Sequence, residues 1–438
     1  MLSKYLSHQG FQKYFKNSSW LLVEKVFRMM VGFIVISWLA KYLGPSDFGT
    51  YNYIQSFVAL FIGFATFGLD TILVRELIKS PSQTDTLLGT VFILRIIGGL
   101  TAIGIIYFAV DLLSVPVEVG MYIYVISFSF ILQSFNVIDA YFQAHVLSKY
   151  IVIINIIGFL ISSTLKIYLI NVDANLSSFV YVIVFDNFLL AIGFIYVYKH
   201  NKKYLRKWNF NYRLAKNLLR DSWPLIFSST VLMIQARIDQ VMLNSFIGAK
   251  EVGFYSTALM IVEAFGFLSV ILKQTLLPAL INAKKVSEKL YLDRFLNLYR
   301  ISFLLFILLS SFLFIFGEKI IILFFGSAYQ MAGVLLSIYS IRLFFTYMGV
   351  ARSSYILVEN LFRYSLFSMF IGSVSNIIFN YYLIPIYGSI GAIIATIISF
   401  TITVFILDAI YVKTRNNFLL MIKAMFSIHK IKILDIKD

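Results

Sequence analysis

Ionisable side chains stand inside long apolar stretches of this sequence, and their presence there needs a chemical explanation. Eight of them are cations: Lys25, Arg28, Arg95, Lys166, Arg237, Lys273, Arg342 and Arg352. Seven are acids: Glu24, Asp70, Asp139, Asp186, Asp239, Glu263 and Asp408. A charge at the middle of a membrane-spanning helix costs about 2.5 to 3.5 kcal/mol even on insertion scales. So many charges cannot all face lipid, and we expect them to form ion pairs or to line a wet cavity.

The first of these stretches carries a spacing that predicts an ion pair. Glu24 and Arg28 lie four residues apart, and Lys25 lies three residues before Arg28, so all three share one helix face. The same face continues to Gly32, where substrate or a neighbouring helix can approach closely.

Two later stretches separate their polar residues in a similar way. Ser228, Gln235 and Asp239 share one helix face, and a nearly opposite face carries Thr230, Arg237 and Asn244. Further on, Glu263 and Lys273 lie ten residues apart, almost three turns, on roughly one side of their helix.

We divide these charges by the role that we expect of each. For Lys166, Asp70, Asp139 and Asp408 we favour an ion pair or a side chain that reaches the membrane surface. For Arg28, Arg237, Lys273 and Glu263 we favour a function.

Composition sets the class of protein to which these residues belong. The chain has 438 residues, of which 60% are hydrophobic and 13% charged, and its mean hydropathy is +0.86. These values predict a polytopic membrane protein, since an ordinary soluble chain is about 25% charged. With no Cys and four His, all outside the apolar stretches, we expect no metal site and no cofactor. No nucleotide-binding glycine loop is present, so ATP is not the expected energy source.

The apolar stretches are long enough for about twelve membrane-spanning helices, because about 20 apolar residues cross a bilayer. The first does not fit a cleaved signal peptide, since it is too long and carries Lys25 and Arg28. The predicted spans are 18–43, 48–73, 87–110, 119–143, 150–171, 177–198, 222–247, 252–280, 299–325, 331–357, 364–384 and 388–412.

The chain contains an internal repeat. The nine residues LGPSDFGTY, from Leu43 to Tyr51, recur as IGAKEVGFY from Ile247 to Tyr255, at an offset of 204 residues. Residues 150–170 recur as 364–384, at an offset of 214 residues. Gly44 and Gly248 are each predicted to end a helix in the left-handed conformation, and an acid three residues later favours the start of the next helix.

The distribution of Lys and Arg predicts the orientation. They number 26 in the segments that we place inside and three in the outer loops, at Lys41, Lys250 and Lys319. Both termini are therefore expected in the cytoplasm. The net charge of +16 is explained by this bias and by attraction to anionic membrane lipid, so we expect no nucleic-acid partner.

The same topology predicts the domain organisation. Because six spans return the chain to its starting side, the two copies insert in parallel. We expect an N-terminal lobe at 1–198, a basic cytoplasmic linker at 199–221, a C-terminal lobe at 222–412 and a basic cytoplasmic tail at 413–438. The tail alternates basic and apolar residues, which fits either an amphipathic piece on the membrane surface or a frayed end.

These residues resemble a known family. The hairpin LGPSDFGTY, its echo IGAKEVGFY, Asp239 eight residues before that echo, and TLLPAL at 275–280 are similar to the Wzx-type flippases of bacterial polysaccharide export. That family belongs to the multidrug, oligosaccharidyl-lipid and polysaccharide exporter superfamily.

The resemblance implies a V-shaped transporter with two six-helix lobes around a cationic cavity lined by spans 1, 2, 7 and 8. It implies an undecaprenyl-pyrophosphate-linked oligosaccharide, such as an O-antigen or capsule repeat unit, as substrate, which the bacterial inner-membrane protein moves from the cytoplasmic to the outer leaflet. It also implies contact with a polysaccharide polymerase and chain-length machinery. Glu263 resembles an acid of related peptidoglycan-precursor flippases, and Arg28 falls where the family commonly has cavity cations.

Our hypothesis assigns the charges on this basis. The expected substrate-binding residues are Lys25, Arg28, Arg237, Lys273, Arg342 and Arg352. Guanidinium forks suit a pyrophosphate diester, which carries two negative charges. Glu24, Asp239 and Glu263 are candidates for the site of a coupling proton or sodium ion during alternating access.

Two other functions stay open at this point. A multidrug or cation antiporter of the same superfamily would bind cationic drugs, for which a cavity rich in Arg and Lys is poorly suited. An integral-membrane polysaccharide polymerase or glycosyltransferase usually carries sizeable outer loops, and every outer loop predicted here is short. We therefore expect a transporter and no enzymatic activity.

Overall fold

The described part of the chain, residues 9–431 of the computed structural model, is almost entirely helical. Side chains of the first helix are described at Asn17 and from Ser19 onward. In chain order the first helices are α1 (Gln9–Ala59), α2 (Ile62–Thr66), α3 (Asp70–Lys79), α4 (Thr84–Leu112), α5 (Val117–Ser127), α6 (Ser129–Leu132), α7 (Val137–Ala144), α8 (Lys149–Asn171) and α9 (Leu176–His200). The remaining helices are α10 (Tyr212–Phe246), α11 (Ala249–Val286), α12 (Glu288–Phe325), α13 (Gln330–Tyr339), α14 (Arg342–Val358), α15 (Phe362–Thr401), α16 (Leu407–Ile410) and α17 (Val412–Met425).

The predicted spans fall on these helices. Within the described residues, seven helices are long and apolar enough to cross a membrane, and two further helix pairs qualify if each bent pair is one span. These nine stretches contain eleven of the twelve predicted spans. The number is larger than nine because α1 contains the first span and the start of the second, and α15 contains the eleventh and the start of the twelfth. The other predicted span lies in α10, whose apolar stretch is interrupted by Gln235, Arg237 and Asp239. The polytopic architecture is confirmed, while the count of twelve stays a prediction.

Glycines with positive φ divide the long helices where the repeat predicts. Gly44 has φ 70° and interrupts α1, and Gly248 has φ 119° and separates α10 from α11. The positive φ predicted at both positions is confirmed, with ψ 172° at each. Gly388, with φ 56°, divides α15 in the same way, between the last two predicted spans.

Two predicted spans are less regular than their sequences suggest. Span 331–357 bends by 47° between Ser327–Tyr339 and Arg342–Val358, and span 48–73 is broken as well. Residues 48–73 are expected to form one helix, but α1 ends at Ala59 and the chain bends by 45° between Ser19–Ala59 and Ile62–Lys79. Phe67 adopts a left-handed conformation between α2 and α3. The expectation of a continuous helix is wrong here, because apolar composition alone does not report a local break.

The chain divides into two compact units. The first comprises Met1–Leu43 and Tyr53–Arg237, and the second Gly44–Asn52 and Ile238–Asp438. The first repeat hairpin therefore belongs to the second unit. There the two hairpins cross symmetrically: a Cβ on Gly49 would overlap the carbonyl oxygen of Ala249, and a Cβ on Gly253 would overlap that of Pro45. Pro45 and Ala249, like Gly49 and Gly253, are equivalent positions of the repeat.

Each unit has its own apolar core. The core of the first unit runs from Leu69 to Leu218 and includes Ala215. The predicted linker 199–221 thus contains packed residues, and α10 begins within it at Tyr212. The lobe limits inferred from sequence stay a prediction, since the two compact units divide at Arg237.

The core of the second unit takes in part of the tail. Met421 and Ala424 of α17 belong to the core that extends from Leu280. Arg300 of α12 donates hydrogen bonds to the Ser427 hydroxyl and the Lys430 carbonyl, each at 2.9 Å. A frayed end is therefore wrong for the helix Val412–Met425, whereas the last seven residues of the predicted tail lie outside the described residues.

Candidate functional site

The predicted pair in α1 forms a small polar cluster in the first unit. Arg28 donates from Nη1 to Oε1 of Glu24 at 3.1 Å, which confirms the ion pair expected from the spacing. Asn155 of α8 donates to the same oxygen at 3.2 Å. The Glu24 side chain is 7% exposed and that of Arg28 is 47% exposed. Arg28 also stands over the ring of Phe159, at 5.6 Å, so its guanidinium is positioned but keeps an open side.

A cavity of about 210 Å³ adjoins this cluster. It is lined by Arg28, Asn155, Gly158, Phe159, Ser162, Lys166, Asp186 and Leu190. Lys166 donates to Ser162 at 2.9 Å and to Asp186 at 3.3 Å. The ion pair that we favoured for Lys166 is therefore confirmed.

A second polar cavity of the first unit, of about 470 Å³, is built around Arg95. Its lining includes Asp70, Asn136 and Asp139. Arg95 is 4% exposed, forms an ion pair with Asp70, and donates to the Gln133 carbonyl at 3.2 Å. Asp70 is thus paired, as expected.

Asp239 lies in the second unit with neutral hydrogen-bond donors around it. It is 6% exposed. Tyr255 donates to Oδ2 at 2.5 Å, Thr396 donates to the same oxygen at 2.7 Å, and Asn380 donates to Oδ1 at 2.7 Å. Asn376 accepts a second hydrogen bond from Asn380 at 3.2 Å. Of the ion pairs found among residues 9–431, none involves Asp239.

Arg342 is connected to Asp239 through two tyrosines. Its Nη1 donates to the hydroxyl of Tyr339 at 2.9 Å, and that hydroxyl lies 2.7 Å from the hydroxyl of Tyr255. The guanidinium also stands 5.3 Å from the ring centre of Tyr339 and 5.8 Å from that of Phe400. Arg342 is half-buried, so it stays within reach of a ligand while neutral groups hold it.

Arg352 is held in a buried ion pair. It binds Asp408 through two hydrogen bonds, at 2.9 Å from Nε and 2.6 Å from Nη2. Tyr364 and Asn417 also donate to this carboxylate, at 2.6 and 3.0 Å. Asp408 is fully buried. The substrate-binding role predicted for Arg352 does not fit this geometry, because a bidentate, buried pair leaves the guanidinium no free face. The pairing expected for Asp408 is confirmed.

The remaining predicted residues are dispersed. Lys273 is half-buried and donates to Ser353 at 2.8 Å. Arg237 is half-buried at the end of the first unit, and Lys25 and Glu263 are exposed. Among the ion pairs of the described residues, none joins Glu263 to Lys273, although the sequence places them on one side of α11.

Sequence reasoning missed the neutral partners of Asp239 and Arg342. Two signals were available: Tyr255 is the last residue of the repeated hairpin, and Asn376 and Asn380 lie four residues apart in an apolar helix. Nothing in the sequence points to Tyr339 or Thr396, which come from separate helices.

Comparison with known proteins identifies relatives of the chain. Residues 14–284 match the model of a family described as "Polysaccharide biosynthesis protein". The capsular polysaccharide biosynthesis protein CapF of Staphylococcus aureus is 27% identical over 206 residues. That match covers 45% of this chain and 51% of CapF, so the chain matches about half the length of this curated relative.

Two solved structures share the fold. An inward-facing multidrug resistance MATE family transporter of the MOP superfamily has a TM-score of 0.68 at 15% identity, over 93% of this chain and 96% of that chain. The lipid II flippase MurJ, in an inward closed conformation, has a TM-score of 0.66 at 18% identity, over 93% of this chain and 91% of that chain. The predicted all-α polytopic fold is confirmed.

Proposed function

Because the chain belongs to the polysaccharide biosynthesis protein family, we propose that it is a flippase for an undecaprenyl-pyrophosphate-linked oligosaccharide repeat unit. It moves this lipid from the cytoplasmic to the outer leaflet of the bacterial inner membrane by alternating access, with both termini in the cytoplasm. Relatives named as a capsular polysaccharide protein and as a lipid II flippase support this proposal.

Several cationic side chains are not fully neutralised by neighbouring acids and can therefore bind an anionic ligand. This observation carries the proposal. Lys273 is bonded to a serine and Arg342 to a tyrosine. Arg28 is paired with Glu24, yet nearly half of its side chain is exposed. A pyrophosphate diester brings two negative charges and several acceptor oxygens. Guanidinium and ammonium donors bind such a group strongly where water is scarce.

Arg352 is excluded from this set, and two other predicted residues stay in it as proposals. Arg237 is half-buried and Lys25 is exposed, so both can reach a ligand. A cationic drug would be repelled by the same residues, which is why a lipid-linked anion fits better than the substrate of a multidrug antiporter.

We propose Asp239 as the coupling site for a proton or sodium ion. Its carboxylate is buried and has only neutral partners. A buried carboxylate without a cation is costly, and a proton or monovalent cation would remove that cost. Oδ1 of Asn380 is also buried without a hydrogen-bond partner among the described residues. Glu24 is less suited because Arg28 already neutralises it, and Glu263 is exposed.

A cellular experiment tests the substrate assignment. In a strain that lacks the native gene, replacement of Arg28, Lys273 or Arg342 by Ala should abolish surface polysaccharide at unchanged protein levels. Replacement of the exposed Lys285 by Ala serves as the matched control. Normal polymer in all three variants would disprove the proposal. If the wild-type protein instead made cells resistant to a cationic drug, that result would identify an antiporter.

A further inference from the structure

A single file of hydrogen bonds joins a predicted substrate-binding cation to the proposed coupling site. The file runs from Arg342 to Tyr339 at 2.9 Å, from Tyr339 to Tyr255 at 2.7 Å, and from Tyr255 to Asp239 at 2.5 Å. Both tyrosines are at most 1% exposed. Water therefore does not provide alternative partners for their hydroxyl groups.

The protons in this file can be arranged in one way while Asp239 carries its charge. An ionised carboxylate only accepts, so Tyr255 must donate to it. Tyr255 has then used its one proton, and it must accept from Tyr339. Tyr339 has in turn used its own proton, and its oxygen accepts from the guanidinium of Arg342. The negative charge on Asp239 thus orients the Tyr339 hydroxyl so that its oxygen accepts a hydrogen bond from Arg342.

Uptake of a proton or a monovalent cation at Asp239 reverses this arrangement. A proton on Oδ2 makes the carboxyl group a donor to Tyr255, and a monovalent cation attracts the oxygen lone pairs of Tyr255. In both cases the Tyr255 proton turns toward Tyr339, and the Tyr339 proton turns toward Arg342. A hydroxyl proton then faces a guanidinium N–H, and Arg342 loses its acceptor.

We propose that Asp239 controls the availability of Arg342 through Tyr255 and Tyr339. With Asp239 charged, Tyr339 holds the guanidinium. When Asp239 takes up a proton or a monovalent cation, the guanidinium is released to bind the pyrophosphate of the substrate. This inference rests on the proposed function, because it makes Arg342 a substrate contact, and it makes the two tyrosines positioning residues.

The surroundings of the file contain few competing charges. Asp239 otherwise contacts neutral Asn380 and Thr396. Glu263 of α11 acts electrostatically on Arg342. Its negative charge would stabilise the guanidinium after release from Tyr339. The relay belongs to the second copy of the repeat: Tyr51 is the repeat equivalent of Tyr255, but Val35 stands at the position equivalent to Asp239.

The test measures binding of undecaprenyl pyrophosphate to the purified full-length protein in detergent. Affinity is titrated against pH without sodium and against sodium at fixed pH. For the wild type we expect affinity to rise about tenfold on acidification or on sodium addition, which is the effect of one hydrogen bond to a charged group. The titration that produces the rise identifies the coupling species.

Tyr255→Phe and Tyr339→Phe remove a hydroxyl group each and keep the ring. We expect Tyr339→Phe to bind the probe tightly under all conditions, because Arg342 has lost its acceptor, and Tyr255→Phe to lose the dependence on pH or sodium. Asp239→Asn should also lose it. Tyr364→Phe, which removes another tyrosine hydrogen bond to an acid in the same unit, should keep the wild-type dependence.

The outcomes separate the two proposals. If the wild type binds the probe but Tyr339→Phe keeps the wild-type dependence on pH and sodium, or if the wild type shows no dependence at all, the relay is wrong and the flippase proposal stands. If the wild type does not bind the probe, the proposed function fails and the relay fails with it. A purely structural role for the tyrosines would lower thermal stability and leave the linked titration unchanged.

Discussion

The crossing of the two repeat hairpins allows a quantitative prediction about stability. A Cβ at Gly49 would overlap the backbone oxygen of Ala249, and a Cβ at Gly253 would overlap that of Pro45. Overpacking costs about 1 to 3 kcal/mol, and we expect about 2 to 3 kcal/mol here because a backbone carbonyl cannot rotate away. Alanine returns about 0.5 to 1 kcal/mol relative to glycine within a helix. The net loss for either Gly→Ala substitution is therefore about 1 to 2.5 kcal/mol.

Gly104 of α4 provides the matched control, since a Cβ there meets nothing within 4 Å. Gly104→Ala should leave stability unchanged or raise it by about 0.5 to 1 kcal/mol. The assay is the midpoint of unfolding in mixed micelles as the fraction of SDS rises. We expect the Gly49→Ala and Gly253→Ala double variant to lose less than the sum of the single losses, because the first substitution already separates the two helices. A Gly49→Ala protein as stable as Gly104→Ala would refute the symmetric crossing.

Three further predictions concern the charged residues. Replacement of Arg352 by Ala should lower the free energy of unfolding by about 3 to 5 kcal/mol, because Asp408 would be left buried and unpaired; a loss below about 1 kcal/mol in the same micelle assay would contradict this. Asp239→Asn should make the transport rate in proteoliposomes insensitive to both proton and sodium gradients, since the group that takes up the ion is gone, and persistent gradient dependence would remove Asp239 from coupling. Arg415→Gln with Lys423→Gln should reduce retention of anionic lipid in native mass spectrometry, as each exposed basic residue near an anionic surface contributes about 1 kcal/mol, and equal lipid retention would contradict a lipid contact by α17.

The features that sequence could predict are those set by local chemistry. The repeated glycines Gly44 and Gly248 need positive φ, and the repeat located them because no other residue adopts that conformation as readily. The pair of Glu24 with Arg28 follows from helical spacing alone. Positive φ and i, i+4 contacts require only neighbouring residues, so they are visible without a tertiary structure.

The features that sequence did not predict depend on residues far apart in the chain. Arg352 and Asp408 are separated by 56 residues, and their pairing depends on how α14 and α16 pack. Likewise, the neutral donors around Asp239 come from two other helices, α11 and α15. A list of charges in apolar stretches could not tell a buried pair such as Arg352 and Asp408 from an available cation such as Arg342.

The central claim is that available cations in the membrane-spanning helices carry a lipid-linked anion across the bilayer, and transfer in proteoliposomes tests it most directly. The measurement is the initial rate at which an undecaprenyl-pyrophosphate-linked oligosaccharide becomes accessible to a glycan-degrading enzyme on the opposite face. We expect the wild type to accelerate this transfer well above protein-free liposomes, and Arg28→Ala with Lys273→Ala to slow it by at least about tenfold, as expected for lost charge-assisted hydrogen bonds. Transfer by the wild type no faster than in empty liposomes, or an unchanged rate in the double variant, would contradict the account.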